Sequence, residues 1–123
     1  MRVSRDEFEA LVEKAVAGLP EEFRRLLDNV AVMVAEEPSD EDLEEVGMDP
    51  SDPDRDELFG LYHGVPLPDR DSSYSALPDR ILIYRGPILR CCGSRREVLR
   101  EVRDTVLHEL GHYYGLEEDE LPF

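Results

Sequence analysis

The 123-residue sequence predicts an α+β fold, in which a small sheet packs against an N-terminal helix pair and a long C-terminal helix. Apolar residues recur at helical spacing near both ends of the chain, whereas two β-branched runs, Val30–Ala35 and Ile81–Tyr84, lie between them. Strands and helices alternate too rarely for a doubly wound sheet. The length is that of one ordinary domain, so residues 1–123 are expected to form a single domain.

The N-terminal helix is predicted to begin after Ser4, because Glu7 follows three residues later in a capping-box pattern. It is expected to end near Ala17, where Gly18 and Pro20 interrupt the apolar periodicity. A short second helix is predicted from about Pro20, since proline suits the first turn of a helix. The β-branched run at 30–35 then predicts a buried strand.

The net charge of −16 comes mainly from one segment, residues 36–57, which holds 12 acidic residues and one basic residue. Three prolines and few apolar residues predict a solvated, mobile acidic loop here. A cation-binding loop is the alternative, but the segment lacks the regular D-x-D-x-D-G register of a calcium loop. A pI near 4.4 argues against nucleic acid or an anionic membrane as a partner, because both select basic surfaces.

In the second half of the chain, glycines and prolines indicate where the predicted elements end. Residues 58–65 are apolar but contain two glycines, which predicts a weak strand or a bend. Residues 66–80, rich in Pro, Asp and Ser, are predicted to form a loop, and the strand at 81–84 is expected to stop at Gly86 and Pro87. Ser94 then caps a long helix that should run to about Tyr114 and end at Gly115.

This last helix contains the pattern H-E-x-x-H at His108, Glu109 and His112. Residues four apart share one helix face, so both imidazoles can bind a single Zn²⁺. Glu109 lies roughly 100° further round, where it can act as the general base towards a zinc-bound water. The two histidines lie away from the centre of the apolar stripe, with Glu109 at its edge. A solvent-exposed histidine pair is the non-functional alternative.

A catalytic zinc usually has three protein ligands. Only 11 residues follow His112, so a third ligand from a second helix far downstream is not expected. Gly115 can end the helix and turn the chain back, which brings Glu118 towards the imidazoles in an H-x-x-G-x-x-E pattern. Glu118 is the favoured ligand, with Asp119, His63 or water as the alternatives.

The segments GLYHGVPL, LPDRILIYRGPIL and TVLHELGHYYGL resemble the small bacterial zincin-like metallopeptidases, the minimal zincins. DNVAVMVAEEP and the opening helix pair extend the resemblance over nearly the whole chain. The resemblance implies a compact α+β fold around the motif helix, one zinc ion and peptidase activity. It assigns His108 and His112 as ligands and Glu109 as general base, with Asp the usual residue at the place of Glu118. No Met follows His112 in this sequence, so we do not expect the Met-turn of metzincins.

Two classes of function follow. The first is a cytoplasmic zinc peptidase that acts on a peptide or protein substrate through a zinc-bound water. The second is an inactive zincin-like module that binds metal or protein. We expect no nucleic-acid or membrane partner, no signal peptide, and no disulfide between the adjacent Cys91 and Cys92. The oligomeric state stays open, a homodimer included.

Overall fold

The computed structural model describes residues 1–28, 30–64 and 79–115, and within them it confirms the α+β class. Those residues form five α-helices, a 3₁₀ helix and a three-stranded sheet. In chain order the elements are α1 (Arg5–Ala17), α2 (Glu21–Leu26), β1 (Val30–Ala35), α3 (Asp40–Glu45), the 3₁₀ helix (Pro53–Glu57), β2 (Gly60–His63), β3 (Asp79–Tyr84), α4 (Arg85–Cys91) and α5 (Arg95–Tyr113).

The sheet is mixed, with the strand order β1-β3-β2. β1 runs parallel to β3 from the pair Val30–Asp79 onwards, and β2 runs antiparallel to β3. Since side chains alternate along a strand, neighbouring residues of β2 face opposite sides of the sheet. Tyr62 lies opposite Ile81 on one face, whereas His63 lies on the other.

The helices α1 and α5 pack together, and α5 covers the sheet face that carries Ile81. The apolar stripe predicted for α5 is confirmed, since Val98, Val102 and Val106 are fully buried and Leu110 nearly so. Burial of each such side chain contributes about 1.5–3 kcal/mol. The main core therefore holds the helix that carries the H-E-x-x-H pattern.

The predicted boundaries of the two long helices are confirmed. Ser4 accepts a hydrogen bond from the Glu7 amide at 3.1 Å, and Ser94 accepts one from the Glu97 amide at 3.2 Å. Gly115 has φ +81°, the left-handed conformation that favours glycine after a helix. Among the described residues, no helix is long and apolar enough to cross a membrane.

Residues 36–57 are mostly exposed, as predicted, but the prediction of an irregular loop is wrong, because α3 and the 3₁₀ helix lie within the segment. Ser39 and Asp42 form a reciprocal capping box at the start of α3, and Leu43 is fully buried. Asp42 also accepts a hydrogen bond from the Tyr84 hydroxyl at 2.7 Å. Burial raises the pKa of the Asp42 carboxyl, but the hydrogen bonds from Tyr84 and the Ser39 amide outweigh burial and lower it below its usual value. α3 is therefore docked on the sheet face opposite α5.

β3 ends at Tyr84, before Gly86 and Pro87 as predicted, but the sequence did not predict α4, which begins directly after the strand. Pro87 lies in the first turn of α4, where its missing N–H has no intrahelical partner to lose. Of the predicted loop 66–80, residues 66–78 lie outside the described part of the chain, and Asp79 and Arg80 belong to β3.

Candidate metal centre

The last two turns of α5 bring His108, Glu109 and His112 together. The imidazole ring centroids of the two histidines lie 5.0 Å apart with an interplanar angle of 73°. Their side chains are 28% and 29% exposed, whereas the side chain of Glu109 is only 6% exposed. The histidines lie away from the apolar stripe of α5, as the helical spacing predicts. The stripe buries Val106 and Leu110, whereas both imidazoles are partly exposed.

The carboxylate of Glu109 lies between the two imidazoles. Its Oε1 lies 3.4 Å from His112 Nδ1, and its Oε2 lies 4.0 Å from His108 Nε2. The backbone N–H of Tyr62 donates a hydrogen bond to Oε1 at 2.8 Å. A buried carboxylate needs such a donor to offset the loss of water, so the edge strand β2 fixes the orientation of Glu109.

The residues present fit a zinc ion. One ligand atom each from His108, Glu109 and His112 can be chosen so that all three lie within 4.8 Å of one another. Two imidazole nitrogens are ligands that zinc accepts, and the Glu109 carboxylate lies beside them.

Gly60 allows β2 to approach α5 closely enough for the contact between Tyr62 and Glu109. A Cβ atom at Gly60 would lie 2.5 Å from Thr105 Cγ2 and 2.8 Å from the Leu82 carbonyl oxygen. Sequence reasoning did not identify Tyr62 as part of the site, because its contribution is a backbone N–H. The glycine before it was the only available sign of a close approach.

A cavity of about 530 Å³ extends from His108, Glu109 and His112 along α5. Its apolar lining includes Val46, Met48, Leu58 and Phe59, and its acidic lining includes Glu57 and Asp104. Part of this wall comes from the acidic segment. The acidic segment 36–57, which was predicted to be a solvated loop, therefore shapes the cavity beside the motif.

The other candidate residues lie elsewhere or cannot be placed. Glu118 and Asp119 are outside the described residues, so the identity of the third ligand stays a prediction. His63 is not in the motif group, and its imidazole faces Asp42 on the opposite side of the sheet. Cys91 and Cys92 carry free thiols, as expected.

A family model described as zincin-like metallopeptidase matches residues 27–122. The chain belongs to the zincin-like metallopeptidase family. This zincin-like protein is also similar to a solved structure, a conserved hypothetical protein from Thermus thermophilus. The two sequences are 28% identical, the alignment covers 91% of this chain and 94% of the other, and the TM-score is 0.55. No protein of curated function matches the zincin-like chain significantly. Family membership implies zinc, and the motif supplies candidate ligands for it.

Proposed function

We propose that this protein is a zinc-dependent peptidase whose general base is Glu109. The observation that carries the proposal is the position of the Glu109 carboxylate, which lies close to both His108 and His112 and lines a cavity with them. A two-histidine site that only stored metal would have no need of a further carboxylate that is not one of its ligands. Membership of the zincin-like metallopeptidase family supports the same reaction class.

His108 and His112 would hold the zinc, and Glu118 is our proposed third protein ligand. Zinc, when bound, supplies Lewis-acid chemistry that lowers the pKa of water and polarises a carbonyl group. Glu109 takes a proton from the attacking water and passes it to the leaving amine. The Tyr62 N–H holds Oε1 of Glu109, so Oε2 is the oxygen directed to this proton transfer.

The cavity favours an extended peptide as the substrate. Its apolar residues, Met48 and Phe59 among them, can bury an apolar side chain of the peptide next to the scissile bond. Glu57 and Asp104 line the same cavity and favour a basic residue nearby in the peptide. We therefore propose peptides with neighbouring apolar and basic residues as the preferred substrates.

The test compares the wild type with Glu109→Gln on a peptide library, with Zn²⁺ added and bound zinc measured in the same samples. Loss of the general base should lower the cleavage rate about 10²- to 10⁴-fold while zinc is retained. Glu101→Gln is the matched control, because Glu101 lies two turns earlier on α5 and does not line the cavity. Loss of zinc in Glu118→Ala would identify the third ligand.

Two outcomes would contradict the peptidase. The wild type and Glu109→Gln could cleave equally, which would remove Glu109 from the chemistry. Neither protein could cleave although both hold zinc, which would favour the inactive metal-binding module instead.

A further inference from the structure

We propose that Asp42, Glu45 and His63 form a second site, for a divalent transition-metal cation, on the sheet face opposite α5. One ligand atom from each of the three can be chosen so that all lie within 4.8 Å of one another. Asp42 and Glu45 come from α3, and His63 is the last residue of β2. Docking of the acidic segment therefore creates a group of ligands that no local spacing in the sequence reveals.

The decisive atom is Nε2 of His63. It is shielded from solvent and makes no hydrogen bond within the described residues. Asp42 Oδ1 lies 3.2 Å away, within ion-pair distance of this nitrogen. A proton or a metal cation can bridge two atoms at this distance, and a metal cation would also bind the neighbouring Glu45 carboxylate. A cation satisfies both atoms at once.

The separation of these two atoms fits a shared metal ion. Zinc binds imidazole nitrogen and carboxylate oxygen at about 2.0–2.1 Å in tetrahedral geometry, which places two ligand atoms about 3.3 Å apart. Nε2 of His63 and Oδ1 of Asp42 are 3.2 Å apart. Glu45 is exposed, so its side chain can rotate to complete the group.

The carboxylate of Asp42 is already oriented for this role. Its Oδ2 accepts hydrogen bonds from the Tyr84 hydroxyl at 2.7 Å and from the Ser39 amide at 3.3 Å. These donors leave Oδ1 directed at His63. Metal ligands in proteins are commonly fixed by such outer hydrogen bonds, which are nearly as important for affinity as the ligands themselves.

The donor set selects the class of cation. Calcium and magnesium take oxygen ligands, whereas the imidazole of His63 adds a nitrogen donor. One nitrogen and two carboxylates suit zinc or manganese.

The site also borders the motif, since His63 follows Tyr62, whose backbone N–H holds Glu109. An ion bound there would fix the end of the edge strand that orients the general base.

The experiment removes the motif ligands and counts the ions that remain. In the full chain carrying His108→Ala and His112→Ala, Zn²⁺ binding is measured by equilibrium dialysis, and Co²⁺ binding by its visible absorption. We expect one ion per chain. Adding His63→Gln should weaken binding at least tenfold, in line with the loss of a metal ligand. Glu45→Gln should weaken it as well, and Glu45 is exposed, so this variant tests the site without disturbing the core.

Glu44→Gln is the matched control, because Glu44 is the exposed neighbour of Glu45 on α3 and is not in the cluster. The proposal is overturned if the chain without motif histidines binds no ion, or if His63→Gln leaves the affinity unchanged. It is also overturned if Glu44→Gln weakens binding as much as Glu45→Gln, since that result indicates diffuse surface charge. Absence of peptidase activity does not alter any of these results, so the two proposals fail separately.

Discussion

Substitution of Gly60 by Ala tests whether the close approach of β2 to α5 builds the site. The added Cβ would lie 2.5 Å from Thr105 Cγ2 and 2.8 Å from the Leu82 carbonyl oxygen. Both distances are shorter than van der Waals contact, and one of the two atoms belongs to the backbone. The strand must therefore move away from the helix, from the neighbouring strand, or from both.

The expected magnitude follows from two opposing effects. Overpacking of a filled interior typically costs about 1–3 kcal/mol. Alanine also restricts the unfolded chain, which offsets the cost by about 0.4–1 kcal/mol. The free energy of unfolding should thus fall by about 1–2 kcal/mol, which corresponds to a fall in Tm of roughly 4–8 °C for a chain of this size.

Urea denaturation measures the stability, and Thr105→Ser supplies the partner for a double-mutant cycle. This change removes Cγ2 but keeps a hydroxyl to donate to the Glu101 carbonyl oxygen, as Thr105 does at 2.7 Å. The contact with the Leu82 oxygen stays, so we expect partial rescue, with a coupling energy of about 0.5–1 kcal/mol. Amide exchange at Tyr62 should also quicken in Gly60→Ala, because its bond to Glu109 lengthens.

The reasoning about close approach would be refuted if the free energy of unfolding of Gly60→Ala lay within about 0.3 kcal/mol of the wild-type value. This limit is close to the usual error of additivity. Equal loss of stability with and without Thr105→Ser would place the strain on the sheet rather than on α5.

The remaining predictions concern the acidic segment and the thiols. Tyr84→Phe should lower the free energy of unfolding by about 1.5–3 kcal/mol, because the buried Asp42 carboxylate loses a donor. Arg90→Ala should lower the free energy of unfolding by less than about 1 kcal/mol, because the ion pairs of Arg90 are half exposed. Urea denaturation measures the stability of both variants. A larger loss in Arg90→Ala than in Tyr84→Phe would contradict the docking of α3 on the sheet. Burial, with the adjacent Cys91, raises the pKa of the Cys92 thiol to about 11, so at pH 8 a thiol reagent should label Cys91 first and Cys92 only on unfolding. Because folding raises the pKa of Cys92, this thiol contributes its full stabilisation below the unfolded pKa near 9, and the contribution is lost as the pH rises towards 11. Equal labelling rates of Cys91 and Cys92 in the folded protein would refute the burial of Cys92.

The long helices were predictable because their signals are local. Ser94 with Glu97 marks the start of α5, and valines at four-residue spacing define its buried face. The same spacing rule places His108 and His112 side by side, so this part of the site follows from the sequence alone.

The acidic segment was not predictable from composition, because tertiary contacts decide its structure. Ser39 and Asp42 do form a local capping box, a signal that the density of acidic residues obscured. The hydrogen bond from Tyr84 joins residues 42 positions apart, and no periodicity reports such a contact. The position of His63 likewise depends on how β2 pairs with β3. The sequence left this pairing ambiguous, because Gly60 begins the strand and Gly64 follows it.

The strand order has a consequence for the way the chain folds. β3 is the central strand, yet it is the last of the three in the chain, and its pairing with β1 joins Val30 to Asp79. A nascent chain that has completed β1 and β2 therefore still lacks the strand that joins them. Contacts so distant in sequence slow folding, since a long loop must close first. The motif helix follows β3, so a nascent chain that ends before α5 lacks both histidines of the candidate metal centre.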